Sequence, residues 1–189
     1  MTDTVRALIP IRSFDGMTRL SGRLSSEERT RLVRALAART TSAALDAGTR
    51  VSVITADAEV EDWATASGVD IVGESDARGL STAATTGTER AGDDAWLIIH
   101  ADLPAIGPDD VRAAVQALGN GHVLAPSHDG GTSLIGGRGS RFPFRYGPGS
   151  FRRHLAAIDG VATILIRPGL ALDLDRSWDL DALRRLGYL

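Results

Sequence analysis

Residues 96–104 read WLIIHADLP. The four apolar residues at 96–99 form a short continuous run, which is typical of a strand buried on both faces of a parallel sheet. Pro104 prevents this strand from continuing. Asp102 therefore follows the carboxyl end of a buried strand, which is where open α/β sheets bind their ligands. Taken alone, the motif fits a turn aspartate equally well, because aspartate is common in loops.

The rest of the chain alternates between strand-like and helix-like patterns. Further strands are predicted at residues 6–11, 51–55, 69–72, 122–125, 133–135 and 162–166. Helices are predicted after the capping box of Ser25 and Glu28, after Asp57, at residues 80–90, after Gly107, at residues 150–158 and at residues 177–186. The alternation indicates βαβ units, and the turn at Gly130-Gly131 indicates a hairpin. We therefore predict one three-layer α/β domain over residues 1–189, with a mixed, mainly parallel sheet.

The composition limits the possible chemistry. The 189 residues carry a formal net charge of −3 and include neither cysteine nor lysine. The absence of cysteine excludes disulfides, thiolate metal sites and a cysteine nucleophile, and it fits a cytoplasmic protein. Without lysine, a phosphate site must use arginine, backbone N–H groups or a metal ion. The charge argues against a nucleic-acid partner, and no apolar run approaches the roughly 20 residues that span a membrane.

A second acidic motif, Asp173-Leu174-Asp175, follows an apolar stretch at residues 168–172. Alternate residues of an extended segment share a face, so both carboxylates can point to one side. Together with Asp102 they could hold a hard cation such as Mg²⁺, which prefers oxygen ligands. Asp175 fits a second role equally well, as the cap of the helix predicted from Ser177.

Residues 141–154 read RFPFRYGPGSFRRH and form the third candidate site. The turn at Gly147-Pro148-Gly149 opens a helix at Ser150, where free N–H groups, a hydroxyl and nearby arginines favour a phosphate or carboxylate. The alternative is an ordinary serine cap beside a solvated basic face. The hydroxyls of Thr132 and Ser133, after the glycine pair, could also bind anionic oxygens.

The loop after the first strand contains Arg12 and Arg19. In α/β nucleotide-binding proteins this loop commonly surrounds the phosphates. Here it lacks both G-x-G-x-x-G and G-x-x-x-x-G-K-[ST]. Neither a dinucleotide fold nor a P-loop is therefore supported.

Together, these motifs resemble the 2-phospho-L-lactate or phosphoenolpyruvate guanylyltransferases of deazaflavin-coenzyme biosynthesis, over nearly the whole chain. The motifs that carry the resemblance are, in chain order, IPIR at residues 9–12, Arg19-Leu20, Gly79-Leu80, ADLP at 101–104, GTS at 131–133, FRYGPGS at 144–150 with His154, and LDLD at 172–175. FRYGPGS is the most specific of them, since ADLP recurs in many related nucleotidyltransferases.

The resemblance implies a Rossmann-like nucleotidyltransferase fold. It also implies an Mg²⁺-dependent reaction that joins GMP from GTP to the phosphate of a small phospho-acid (phosphoenolpyruvate, 2-phospho-L-lactate or a phosphoglycerate) and releases pyrophosphate. Members of the family commonly form homodimers. The implied nucleotide contacts are Ile9, Pro10, Arg12, Gly79, Leu80 and Ser81, and the implied phospho-acid contacts are Thr132, Ser133, Gly147 and Ser150. The implied metal ligands are Asp102, Asp173 and Asp175, and the implied catalytic residues are Asp102, Arg12 and Arg19.

The chain departs from the family pattern at three positions. Thr18 stands where the family usually has lysine, Ser81 where it usually has asparagine, and Ser133 where it often has asparagine. Two alternatives to the phospho-acid reaction stay open at this stage. One is a nucleotidyltransferase that acts on a sugar phosphate or a molybdopterin, and the other is a nucleotide-binding paralogue without turnover.

Overall fold

The computed structural model of the chain describes residues 4–73 and 79–189. Within these ranges the strands are β1 (Arg6–Pro10), β2 (Arg50–Thr55), β3 (Asp70–Gly73), β4 (Ala95–Ile99), β5 (His122–Pro126), β6 (Thr132–Arg138) and β7 (Ala162–Ile164). The helices are α1 (Ser26–Asp46), α2 (Ala58–Ala66), α3 (Leu80–Ala91), α4 (Pro108–Ala117), α5 (Ser150–Ala157), α6 (Pro168–Ala171) and α7 (Ser177–Arg185). Each strand and helix predicted from the sequence is present.

Local signals in the sequence account for the helix starts. The Ser25 hydroxyl accepts a hydrogen bond from the Glu28 amide at 3.2 Å, and the Glu28 carboxylate accepts one from the Ser25 amide at 2.8 Å. This is the predicted capping box, and it begins α1. The Asp57 carboxylate likewise accepts the amides of Glu59 and Val60, which begins α2.

The strands form one sheet in the order β3-β2-β1-β4-β6-β5-β7. Strand β6 runs antiparallel to both of its neighbours, and the other pairings are parallel. The predicted mixed, mainly parallel sheet is thus confirmed. From β1 the chain proceeds outward to β2 and β3 and then returns to place β4 on the other side of β1. Connections that diverge in this way leave a crevice at the carboxyl ends of the two central strands.

Helices cover both faces of the sheet, because residues of the central strands alternate between two cores. Ile9, Leu97 and Ile99 pack with apolar residues of α1, α2 and α4. Leu8 and Ile98 pack on the opposite face with α3 and α5. The predicted three-layer architecture is therefore confirmed.

A third, smaller cluster joins the first loop to the carboxyl-terminal segment. Its buried members are Leu20, Leu24, Leu36, Leu174, Leu180 and Leu183. This cluster packs α7 and the segment before it against the loop after β1. Residues far apart in the sequence are thereby held beside the crevice.

The structure corrects three details of the prediction. Strand β7 ends at Ile164 instead of continuing to residue 166, and a single helical turn, α6, begins the stretch at residues 168–172. Asp175 does not cap α7, because the Asp179 carboxylate accepts the backbone amides of Asp175 and Arg176 at 3.2 and 2.7 Å. The cap alternative for Asp175 is thus wrong. Across the described ranges, no helix has both the length and the apolar character needed to cross a membrane.

Candidate active site

A cavity of about 260 Å³ opens at the crevice between β1 and β4. Its walls are the loop after β1, the start of α3, the loop after β4 and the segment before α7. Five residues predicted to form the site line it: Pro10, Arg12, Leu80, Asp102 and Asp175. Residues from four distant parts of the sequence therefore meet in one pocket.

One backbone hydrogen bond connects the two acidic motifs. The Leu174 amide donates to the Asp102 carbonyl at 3.0 Å, and the Leu174 side chain is buried in the cluster beneath the first loop. Asp173 and Asp175 flank this anchored residue. The three predicted metal ligands are thus gathered at the carboxyl end of β4.

Burial, with a smaller contribution from electrostatic repulsion, raises the pKa of two of these carboxyls. Burial raises the pKa of Asp102 to about 6, with further contributions from the charges of Asp175 and Asp129. Burial also raises the pKa of Asp173 to about 6, assisted by the charges of Asp102 and Asp129. One Asp102 oxygen, Oδ1, is buried without a hydrogen-bond partner among the described residues, while the side chain as a whole is 37% exposed. A divalent cation would relieve this accumulation of negative charge, so the donor set fits Mg²⁺.

Two of the three carboxylates are nevertheless engaged with basic side chains. Asp173 Oδ1 lies 2.8 Å from His128 Nδ1, and Asp175 forms an ion pair with Arg19. In the parts of the chain that the structure describes, no three acidic or histidine side chains form a group ready to hold a metal. Metal binding at this site therefore requires Asp173 or Asp175 to exchange partners.

His128 is a residue of this site that the sequence analysis missed. Its Nε2 lies 3.1 Å from Asp179 Oδ1, so the ring bridges Asp173 and the carboxylate that caps α7. Burial alone would lower the pKa of His128, but the charges of the two aspartates outweigh it and raise the pKa. Only the fold brings these residues together, and no spacing of histidines in the sequence indicates it.

Arg12 and Arg19 differ in their present interactions. Arg19 donates to Asp175, whereas Arg12 has no ion pair with any residue in ranges 4–73 and 79–189 and lines the cavity. Arg12 is therefore a cation that an anionic ligand in the pocket could engage directly.

A second group of predicted residues lies beside the pocket, at the start of α5. Ser150 Oγ lies 3.2 Å from Thr132 Oγ1, and His154 Nδ1 lies 3.0 Å from the same oxygen. The Gly147 carbonyl accepts the Ser150 amide at 3.0 Å. Gly147 has φ +113°, which favours glycine. The structure thus brings together Thr132, Gly147 and Ser150, as the resemblance implied.

Two predicted side chains are turned away from the site. Ser133 is 1% exposed, and its hydroxyl donates to the Ala125 carbonyl at 3.2 Å within the hairpin. Because neighbouring strand residues face opposite sides of the sheet, Ser133 cannot share the position of Thr132. Ile9 is fully buried in the core, so its side chain contacts no ligand in the pocket. The predicted ligand contacts of these two residues stay predictions, and backbone atoms would have to make them.

Ser81 links the two groups. It follows Gly79 and Leu80 at the start of α3, and its hydroxyl accepts the Tyr146 amide at 3.0 Å. The Tyr146 ring lies 5.2 Å from the His100 ring, and both the Tyr146 hydroxyl and His100 Nε2 are buried without a partner among the described residues. The loop before Gly147 is thereby held against the start of α3, where Leu80 lines the pocket.

Known proteins resemble this chain in sequence and in fold. Residues 5–164 match the family model described as guanylyl transferase CofC like. The chain is 34% identical to a phosphoenolpyruvate guanylyltransferase of Nocardia farcinica, over 97% of this chain and 86% of that protein. It is 34% identical to a 2-phospho-L-lactate guanylyltransferase of Methanothermobacter thermautotrophicus, over 79% of this chain and 69% of that protein.

The fold has relatives among solved structures. A protein of Desulfovibrio desulfuricans described as a nucleotide-diphospho-sugar transferase superposes with a TM-score of 0.81 over 99% of this chain and 88% of its own, at 19% identity. A nucleotidyl transferase of Methanothermobacter superposes with a TM-score of 0.66 over 97% of both chains, at 18% identity. Identities this low show the fold alone, which is that of nucleotidyltransferases. The match over residues 5–164, together with the two guanylyltransferases, shows that the chain belongs to the CofC-like guanylyl transferase family.

Proposed function

We propose that this chain transfers GMP from GTP to the phosphate of a small phospho-acid and releases pyrophosphate. The observation that carries the proposal is the meeting of Arg12, Leu80, Asp102 and Asp175 in one pocket at the carboxyl ends of β1 and β4. This is where an α/β sheet binds a nucleotide. Family membership and the adjacent Thr132–Ser150 pair give further support.

The reaction is an in-line displacement at phosphorus. A phosphate oxygen of the acceptor forms a bond to the α-phosphorus of GTP, and the bond from that phosphorus to the α–β bridging oxygen breaks. The electron pair of the broken bond leaves on pyrophosphate. The attacking oxygen is already anionic, so no general base is needed. Catalysis consists of positioning the two anions and offsetting their repulsion.

The charged residues divide this work. Arg12 and Arg19 would bind the triphosphate, with Arg19 exchanging Asp175 for a phosphate oxygen. Asp102, Asp173 and Asp175 would hold Mg²⁺. That cation would supply positive charge to the phosphates where the bonds change. Pro10 and the Gly79–Ser81 segment would contact the nucleoside.

Phosphoenolpyruvate is the acceptor that we propose first. Four of the relatives most similar to this chain are named phosphoenolpyruvate guanylyltransferases, and one other is named for 2-phospho-L-lactate. Thr132, Gly147 and Ser150 would bind the acceptor, because a helix start with two hydroxyls favours a carboxylate or phosphate oxygen.

The decisive experiment measures pyrophosphate release from GTP and Mg²⁺ with single acceptors. The panel is phosphoenolpyruvate, 2-phospho-L-lactate, 2-phosphoglycerate, 3-phosphoglycerate and glucose 1-phosphate. Release that depends on one phospho-acid supports the proposal and identifies the acceptor. Release with glucose 1-phosphate alone contradicts the proposal. The absence of release with every acceptor also contradicts it, provided that the protein is folded and binds GTP.

Four further expectations accompany this function. We propose that the chain forms a homodimer, which sedimentation velocity would test. We also propose a single domain over residues 1–189 and a cytoplasmic location, without a nucleic-acid partner. Limited proteolysis, cell fractionation and a nucleic-acid binding assay would test these expectations.

A further inference from the structure

His154 is fully buried, and both of its ring nitrogens have partners. It lies one helical turn after Ser150 on α5, so the two side chains face the same strand end. Nδ1 lies 3.0 Å from Thr132 Oγ1, and Nε2 lies 2.9 Å from the Arg145 amide nitrogen. The ring therefore connects the loop before Gly147 to the hydroxyl pair.

The partner of Nε2 determines which nitrogen carries the proton. A backbone N–H only donates, so Nε2 must accept with its lone pair. Burial, followed by the charges of Arg153 and His100, lowers the pKa of His154 to about 4, so the ring is neutral at neutral pH. A neutral ring with a bare Nε2 carries its proton on Nδ1. His154 consequently donates to Thr132 Oγ1.

This donation determines how many hydroxyl protons of Thr132 and Ser150 remain available to an outside group. Thr132 and Ser150 share one hydrogen bond, which uses one of their two protons. The Thr132 oxygen already accepts from His154, so Thr132 does not donate back to the ring. Whichever hydroxyl donates within the pair, the proton of the other is left over and points to a group outside the pair. With the other tautomer, Thr132 would donate to Nδ1 and Ser150 to Thr132, and no proton would remain.

We propose that His154 is a positioning residue that converts the Thr132–Ser150 pair into a hydrogen-bond donor for an anionic oxygen of the acceptor. The inference rests on the proposed function for the identity of the acceptor. Thr132 and Ser150 are each 2% exposed, so the remaining hydroxyl proton is largely shielded from water and needs an acceptor from another group. The ligand atom that they bind is an acceptor of hydrogen bonds, such as a carboxylate or phosphate oxygen, and a ligand hydroxyl that must donate is disfavoured.

Two variants separate hydrogen bonding from packing. His154→Phe keeps a ring but removes both hydrogen bonds. His154→Asn keeps an N–H near the position of Nδ1, which can still donate to Thr132. His122→Phe is the matched control, because His122 begins β5 and packs on Phe142 with its ring, away from the pocket. Thermal unfolding verifies that each variant is folded.

The expected result concerns the acceptor. His154→Phe weakens binding of phosphoenolpyruvate, measured by calorimetry with GTP absent, by about 10- to 100-fold, which is the effect of losing a hydrogen bond to a charged group. It raises KM for the acceptor more than it lowers kcat. His154→Asn recovers part of the loss, and His122→Phe binds like the unmodified chain. Unchanged binding by folded His154→Phe overturns the proposal.

The tautomer provides a test that does not depend on activity. Long-range ¹H–¹⁵N correlation spectra of histidine-labelled protein distinguish the protonated nitrogen from the bare one, and His154→Asn identifies the resonances. We expect the proton of His154 on Nδ1. A proton on Nε2 overturns the proposal even if the guanylyl transfer is found. Failure of the unmodified chain to bind any phospho-acid would instead contradict the proposed function, and the tautomer would still decide the arrangement at Thr132.

Discussion

The guanidinium of Arg19 forms an ion pair with the Asp175 carboxylate at the edge of the pocket. A residue proposed to bind phosphate and one proposed to bind a cation thus neutralise each other. Their side chains are 64% and 37% exposed, and solvent-exposed pairs contribute little to stability. The pair can therefore open at small cost when a cation and a triphosphate enter.

Replacing Arg19 by glutamine should separate activity from stability. We expect Arg19→Gln to change the free energy of unfolding by less than about 1 kcal/mol. We also expect it to lower kcat/KM for GTP by about tenfold or more, since a charged hydrogen bond to phosphate is lost. Urea denaturation and pyrophosphate release measure the two effects.

Arg23→Gln is the matched control for this experiment. Arg23 pairs with Asp181 at 2.7 Å and is similarly exposed, but neither residue lines the pocket. An equal loss of kcat/KM in both variants would contradict the role of Arg19.

Replacing Asp102 by asparagine should abolish turnover. In metal-free buffer the same change should raise the stability of the fold. Because the pKa of Asp102 is raised to about 6, its ionised form opposes folding above that pH. At pH 8 the variant removes this charge, so we expect its urea midpoint to rise while pyrophosphate release falls below detection. Asp109→Asn, at an exposed position on α4, should leave turnover unchanged. Near-normal turnover by Asp102→Asn would show that this carboxylate is not a metal ligand.

Divalent cations should stabilise the unmodified chain. A cation that binds the folded state alone raises the Tm with its concentration. We expect Mg²⁺ or Mn²⁺ at pH 8 to raise the Tm, EDTA to reverse the increase, and Asp102→Asn to abolish it. The same increase in Asp102→Asn would place the cation elsewhere.

Stability should fall in acid partly because of His154. Its pKa lies at about 4 in the folded chain and at 6.5 in the reference state, so between these values only the unfolded chain binds the proton. The stabilisation is fully present above pH 6.5 and is lost as the pH falls toward 4. Urea denaturation across this range should show a smaller decline for His154→Phe. His100, whose pKa burial also lowers to about 4, keeps its contribution in both proteins, so parallel curves would contradict the assignment.

Patterns local in sequence predicted the fold well. The buried run before His100 and the capping box at Ser25 depend on neighbouring residues, and both are present. Strand alternation also explains why the Ser133 side chain lies apart from that of Thr132. That residue adjoins Thr132 in the chain, so it must face the other side of the sheet.

The contacts that complete the site could not be predicted from the sequence. His128 meets Asp173 and Asp179 across 45 residues or more, and nothing in the spacing of these residues indicates the contact. The role of His154 depends on a backbone amide, that of Arg145, which carries no residue-specific signal. Such partners become visible only when the sheet register and the loop paths are known.

The hydrogen bond from Leu174 to Asp102 has a consequence for the order in which the molecule is made. Synthesis proceeds from the amino terminus, and a domain folds as a unit once enough of it has been made. The sheet through β6 and the Asp102 carboxylate are therefore synthesised before Asp173 and Asp175. During that interval the nascent chain carries Arg12 and Asp102 but not the carboxylates that complete the proposed cation site. The proposed cation site is therefore complete only once residues 173–175 have been made and the Leu174 amide has bonded to the Asp102 carbonyl.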